Sequence, residues 1–96
     1  KNPGDKVAEQ KFKELNEAIR RRGKSDSYPY HILGSQGLAY ARRAPLTTAE
    51  RSALLGELIF QIKEGLRHHP GQGDLIQLRD DLEREHLSLA VDPNDA

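Results

Sequence analysis

The sequence predicts an all-α fold of four helices joined by short turns, and three observations carry that expectation. Apolar residues recur at intervals of three and four in four successive segments, the period of one helix face. Glycine, proline or a capping pattern punctuates the segments. Nowhere do apolar and polar residues alternate as in a half-buried strand, and no Asn-Gly hairpin turn is present. Connections of about three to five residues make consecutive helices nearly antiparallel. Four such helices can pack as stacked helical hairpins or, alternatively, close into a four-helix bundle.

The first helix is expected over 4–22. Asn2 can cap it, Pro3 suits its first turn and Asp5 its positive end. Ala8, Phe12, Leu15 and Ile19 form its apolar stripe, and Arg20-Arg21-Arg22-Gly23 ends it, with Gly23 in the C′ position. The second helix is expected over 28–44, capped by Ser27 or Tyr28 and stopped by Pro45. Its face runs Tyr30, Leu33, Gly34, Gly37 and Ala41. Gly34 and Gly37 each cost about 1 kcal/mol of helix propensity relative to Ala, which points to a bend or to a close neighbouring backbone. The third helix, over 48–69, opens with a Thr47–Glu50 capping box and carries Leu54, Leu55, Leu58, Ile59, Ile62 and Leu66 before Pro70-Gly71 closes it. The fourth, over 74–91, starts at an Asp74 cap, carries the stripe Leu75, Leu78, Leu82, His86 or Leu87, and Leu89, and stops at Asp92-Pro93.

Ninety-six residues make about one small domain. The net charge is zero, but residues 1–51 carry eleven Lys/Arg against six Asp/Glu, and residues 52–96 carry four against nine. The halves are therefore of opposite sign and can satisfy each other or meet charged neighbours. With no cysteine there is no disulfide framework and no thiolate metal site, and the composition leans toward the cytoplasm. No apolar run approaches a membrane span and no signal peptide is visible. The start at Lys1 and the absence of Met point to a piece of a longer protein.

Residues 30–78 resemble a tetratricopeptide repeat. Tyr30, Leu33 and Gly34 match the aromatic and Leu-Gly positions of its first helix, and Gly37 stands where the family usually has Tyr. Leu58, Ile62 and Gly65 fall on the Ala, large apolar and small positions of the second helix, with Pro70 after them. The stretch between Gly34 and Leu58 is about twelve residues longer than the family pattern, so the hairpin is lengthened on both arms. In this frame the first helix resembles the second half of a preceding repeat, and the fourth opens a further repeat or caps the array. The resemblance implies a protein-interaction or scaffolding module that binds a peptide or a neighbouring domain of the same parent. The concave face of such an array is formed mainly by first helices. That places partner contacts at the outward polar positions His31, Gln36, Tyr40, Arg43, Gln77 and Arg84.

Other chemistry finds little support in the residues. Adjacent His68 and His69 diverge by about 100° on a helix and suit its negative end better than a shared ion. Glu83 and His86 are two groups, short of a zinc site, and His86 reads as a core-edge residue hydrogen-bonded to a neighbour. Asp80, Asp81, Glu83 and Glu85 read as a solvated or partner-facing acidic face rather than an acid–base pair. No nucleophile motif, phosphate loop or HExxH pattern occurs, so neither catalysis nor a cofactor is expected. A small helical nucleic-acid-binding or regulatory domain is the competing reading. It needs Arg20, Arg21, Arg22, Lys24, Arg42 and Arg43 to merge into one patch. Tyr28 can either cover the core as a staple or offer a binding aromatic.

Overall fold

The structure is a computed structural model describing residues 3–90, with side chains described over 6–89. It contains α1 (Pro3–Arg22), α2 (Tyr28–Arg43), α3 (Thr48–His68) and α4 (Gly73–Ala90), and no strand among the described residues. The helix limits lie within a residue of those expected from the sequence. The cap expected at Asn2 and the stop expected at Asp92-Pro93 lie outside the described residues.

The helix ends show which local signals act. The capping box of α3 is complete: Glu50 N–H donates to Thr47 Oγ1 at 3.1 Å, and Thr47 N–H donates to Glu50 Oε1 at 2.9 Å. Ser27 occupies the N-cap position of α2 but makes no side-chain cap. Asp26 Oδ1 instead accepts from the Tyr28 N–H at 3.0 Å. Asp74 does not cap α4, because the helix begins one residue earlier, at Gly73. The Gln72 carbonyl accepts from Leu75 and Ile76, which places the Asp74 carboxylate in the first turn beside the positive dipole end. Gly23 does not end α1 in a left-handed turn, since no described residue has positive φ. Its role is spatial: a Cβ there would lie 2.7 Å from Tyr30 Oη.

α2 is the hub. It packs against each of the other three helices, and α3 packs against α4. The core is built from Tyr30, Leu33, Leu38 and Ala41 of α2, Leu55, Leu58 and Ile62 of α3, and Leu75, Leu78 and Leu82 of α4. Burying each of the leucines contributes about 1.5–3 kcal/mol. Gly34 and Gly37 of α2 and Gly65 of α3 are notches for these side chains rather than sites of backbone approach. A Cβ on Gly34 would meet Ile62 Cδ1 at 2.7 Å, one on Gly37 would meet Leu58 at 2.6 Å, and one on Gly65 would meet the Tyr30 ring at 2.7 Å. The propensity cost of Gly34 and Gly37 is thus offset by α3 lying close to α2.

α1 differs from the rest. It contacts α2 alone, and Phe12, Leu15 and Ile19 reach the core only half-buried. The Phe12 ring stands edge-on to Tyr40, with centroids 5.7 Å apart. A ring of four helices would bring α1 beside α4, and no such packing forms. The helices instead make a flattened body with Cα extents of 43 × 31 × 15 Å. Opposite charges close part of its seam, where Arg42 Nε of α2 lies 3.2 Å from Glu85 Oε1 of α4 and Lys63 Nζ of α3 lies 3.4 Å from Glu83 Oε2. Exposed pairs of this kind contribute about 0–1 kcal/mol each.

Candidate functional site

Because α1 and α2 are antiparallel, the start of α1 lies beside the end of α2. Between them runs an open groove of about 270 Å³, lined by Val7, Ala8, Lys11 and Phe12 of α1 and by Gln36, Ala39, Tyr40 and Arg43 of α2. Among the described residues, two cations and no carboxylate line it. Gln36, Tyr40 and Arg43 share it because spacings of four and three keep them on one flank of α2. The Arg43 guanidinium lies over the Tyr40 ring, 5.9 Å from its centroid, in cation–π range. A neighbouring hollow of about 300 Å³ shares Ala8, Phe12 and Tyr40, and extends to Leu46 and Leu54 and to the carboxylates Glu9 and Glu50. An apolar floor with two cations at its rim can hold an apolar side chain and an adjacent carboxylate.

The other sequence-predicted contact residues lie elsewhere. His31 sits about 120–180° around α2 from Gln36, Tyr40 and Arg43, as about 100° per residue requires. It is half-buried and stacks on the exposed Tyr28 ring at 6.5 Å, and its Nδ1 is buried without a hydrogen-bond partner. Gln77 and Arg84 lie on α4 and both donate to Asp81 Oδ1, at 3.0 Å and 3.4 Å. The six residues therefore form one trio in a groove and three positions apart from it. The contributions of Val7, Lys11 and Phe12 were missed. Val7 was the available signal, since it stands beside the α1 stripe with no core position to fill.

The histidines have structural partners. His69 Nε2 lies 2.7 Å from the Gly23 carbonyl oxygen, tying the end of α3 to the end of α1, so Nε2 carries the proton and donates. Its ring also meets Tyr30 edge-on. His86 Nε2 lies 3.2 Å from Ser52 Oγ. Among the described residues no group of three or more His, Asp or Glu is placed to hold a metal ion.

The charged side chains are spread, and several are paired. Arg20, Arg21 and Arg22 end α1, whereas Arg42 and Arg43 end the antiparallel α2, about 24 Å away along the helix axis. The basic clusters do not merge. Arg20 pairs with Glu17, Arg42 with Glu85, and Arg67 with Glu64. The hydrogen bond from Arg20 holds the Glu17 carboxyl below the usual range, and that from Arg67 does the same for Glu64. Burial pushes the Tyr30 hydroxyl above the ordinary tyrosine range, and the Glu64 charge adds to that.

No family model matches the chain, and no curated protein or solved structure shows significant similarity to it. No helix among the described residues is long and apolar enough to cross a membrane.

Proposed function

We propose that this chain is a protein-interaction module whose α1/α2 groove binds an acidic, amphipathic peptide or helix of a partner. The observation that carries the reading is the convergence of Gln36, Tyr40 and Arg43 with Val7, Lys11 and Phe12 in one open groove, to which no described residue contributes a carboxylate. Phe12 and Tyr40 form the apolar anchor, Lys11 and Arg43 pair with partner carboxylates, and Gln36 offers an amide to the partner backbone. The role is one of binding, with no reaction assigned to these residues. The partner is another protein or a neighbouring domain of the same parent chain.

The tetratricopeptide-like frame belongs to the same proposal. Its support is the order of packing, in which α2 lies against α3, α4 and α1 while α1 packs along neither α3 nor α4. Serial stacking of hairpins has that order. The separation of the basic clusters to opposite ends weighs against the nucleic-acid reading.

The test is fluorescence anisotropy with a labelled helical peptide carrying Glu and Leu at alternating helix-face positions. The wild-type chain binds it, Arg43→Glu and Lys11→Glu each weaken binding by about ten-fold, and Arg21→Glu leaves it unchanged. Equal loss with Arg21→Glu, or binding to duplex DNA in preference to the peptide, would overturn the reading.

A further inference from the structure

The helices alternate in direction, so the start of α1, the end of α2 and the end of α4 share one end of the molecule. Arg42 of α2 reaches across to Glu85 of α4, and Arg43, about 100° further round α2, lines the α1/α2 groove. The cations on the α4 side are taken: Lys63 holds Glu83, Arg42 holds Glu85 and Arg84 holds Asp81. Arg51 is taken as well, by the carbonyls of Ala41, Ala44 and Leu46. Arg43 and Lys11 of the groove differ, since neither holds a carboxylate among the described residues. Beyond α4 the chain continues, outside the described residues, as Val91-Asp92-Pro93-Asn94-Asp95-Ala96, with two carboxylate side chains and no cation.

We propose that residues 91–96 dock in cis in the α1/α2 groove and compete there with the partner peptide. The proposal rests on the reading of that groove as a site for an acidic peptide, and gives it a regulator carried by the chain itself. Reach and charge select this occupant. α4 runs about 8 Å past the level of Glu85 to Ala90. Neighbouring helices pack about 8–10 Å apart, and six extended residues span at most about 20 Å. Asp92 and Asp95 therefore come within reach of the Arg43 and Lys11 side chains by crossing the end of α2. Arg20, Arg21 and Arg22 lie at the opposite end of α1, about 24 Å from Arg42 and Arg43 along the helix axis and beyond that reach. The segment has no aromatic residue and no leucine to fill the Phe12–Tyr40 floor. Its hold is electrostatic, exposed and weak, so a partner that brings both a carboxylate and a leucine displaces it.

The experiment repeats the anisotropy titration with the full chain and with its Asp92→Asn/Asp95→Asn variant, using circular dichroism to confirm unchanged helicity. The variant is expected to bind the labelled Glu/Leu peptide about five-fold tighter, because the groove is no longer shared. A nitroxide on Ala96→Cys reports docking directly, since the chain has no other thiol. It should broaden the amide resonances of Lys11 and Arg43 well beyond that of Arg21. The two Asn substitutions, or raised salt, should remove most of that broadening. Equal peptide affinity for the wild type and the variant overturns the proposal, as does broadening at Lys11 and Arg43 that is indifferent to the Asn substitutions. A wild type and a variant that both fail to bind the peptide remove the peptide reading. The broadening then decides alone whether the segment docks.

Discussion

Gly56 and Gly65 lie on the same helix and on different surroundings, and that difference sets the sign of replacing each by Ala. Nothing lies within 4 Å of a Cβ at Gly56, so Gly56→Ala gains helix propensity without a clash and should stabilise by about 0.5–1 kcal/mol. At Gly65 the added Cβ falls 2.7 Å from Tyr30 Cγ. The ring cannot retreat freely, because Tyr30 Oη already sits against Gly23. Gly65→Ala should therefore destabilise by about 1–2 kcal/mol, with overpacking outweighing the propensity gain. Urea denaturation of the two variants checks both signs; if both stabilise, Tyr30 is not held as described. The residue scale is also where the sequence was least explicit. It marked Gly34 and Gly37 as costly positions with a reason to be there, yet could not show that the reason was Ile62 and Leu58 entering notches from α3. His69 read as a helix-end cation, and its bond to the Gly23 carbonyl depends on a tertiary approach that no local pattern encodes. Of the six contact positions, the helical angle alone separates His31 from Gln36, Tyr40 and Arg43.

At the scale of elements, the readable signals were those with short range. The Thr47–Glu50 box, the prolines and the apolar stripes placed all four helices, because each acts within about one turn of the residue that carries it. Asp74 misses its cap by a shift of one residue, and Ser27 holds the expected cap position without a side-chain bond, because such short side chains choose partners within a residue or two. Arg51 shows what such patterns miss. A cation near the start of α3 is disfavoured by the helix dipole. Here it reaches the end of α2 and donates to the carbonyls of Ala41 at 2.8 Å, Ala44 at 2.9 Å and Leu46 at 3.4 Å. It thereby satisfies carbonyls at the turn after α2 that Pro45 cannot help to close. Arg51→Met keeps the aliphatic stem and removes the donors, and should cost about 1.5 kcal/mol. Arg51→Lys should recover less than half of that, because one ammonium cannot span the three carbonyls that a planar guanidinium reaches. Thermal and urea melts of the two variants measure this. Equal stability of Arg51→Met and wild type would mean that water serves those carbonyls equally well.

At the scale of the molecule, the order of packing implies an uneven distribution of stability. α2, α3 and α4 share a core with four fully buried large side chains, Leu55, Ile62, Leu75 and Leu82, none of which comes from α1. α1 packs along α2 alone and holds on through the half-buried Phe12, Leu15 and Ile19 and, at its end, through the tie from His69 to Gly23. Breaking those contacts does not open the core formed by the other three helices, so α1 can leave while they remain folded. Native-state hydrogen exchange should show this directly. Amides in the middle of α1 should exchange through a local opening well below the global unfolding free energy, while those at the centres of α2, α3 and α4 should exchange only on global unfolding. The C-terminal turn of α1, next to Gly23, should be protected better than its first turns, since the His69 bond lies at that end. Because α1 forms one wall of the proposed groove, bound acidic peptide should slow exchange in α1 more than in α4. Equal protection of α1 and α3 in the free chain would show that the four helices unfold as a single unit and that α1 is not a detachable wall.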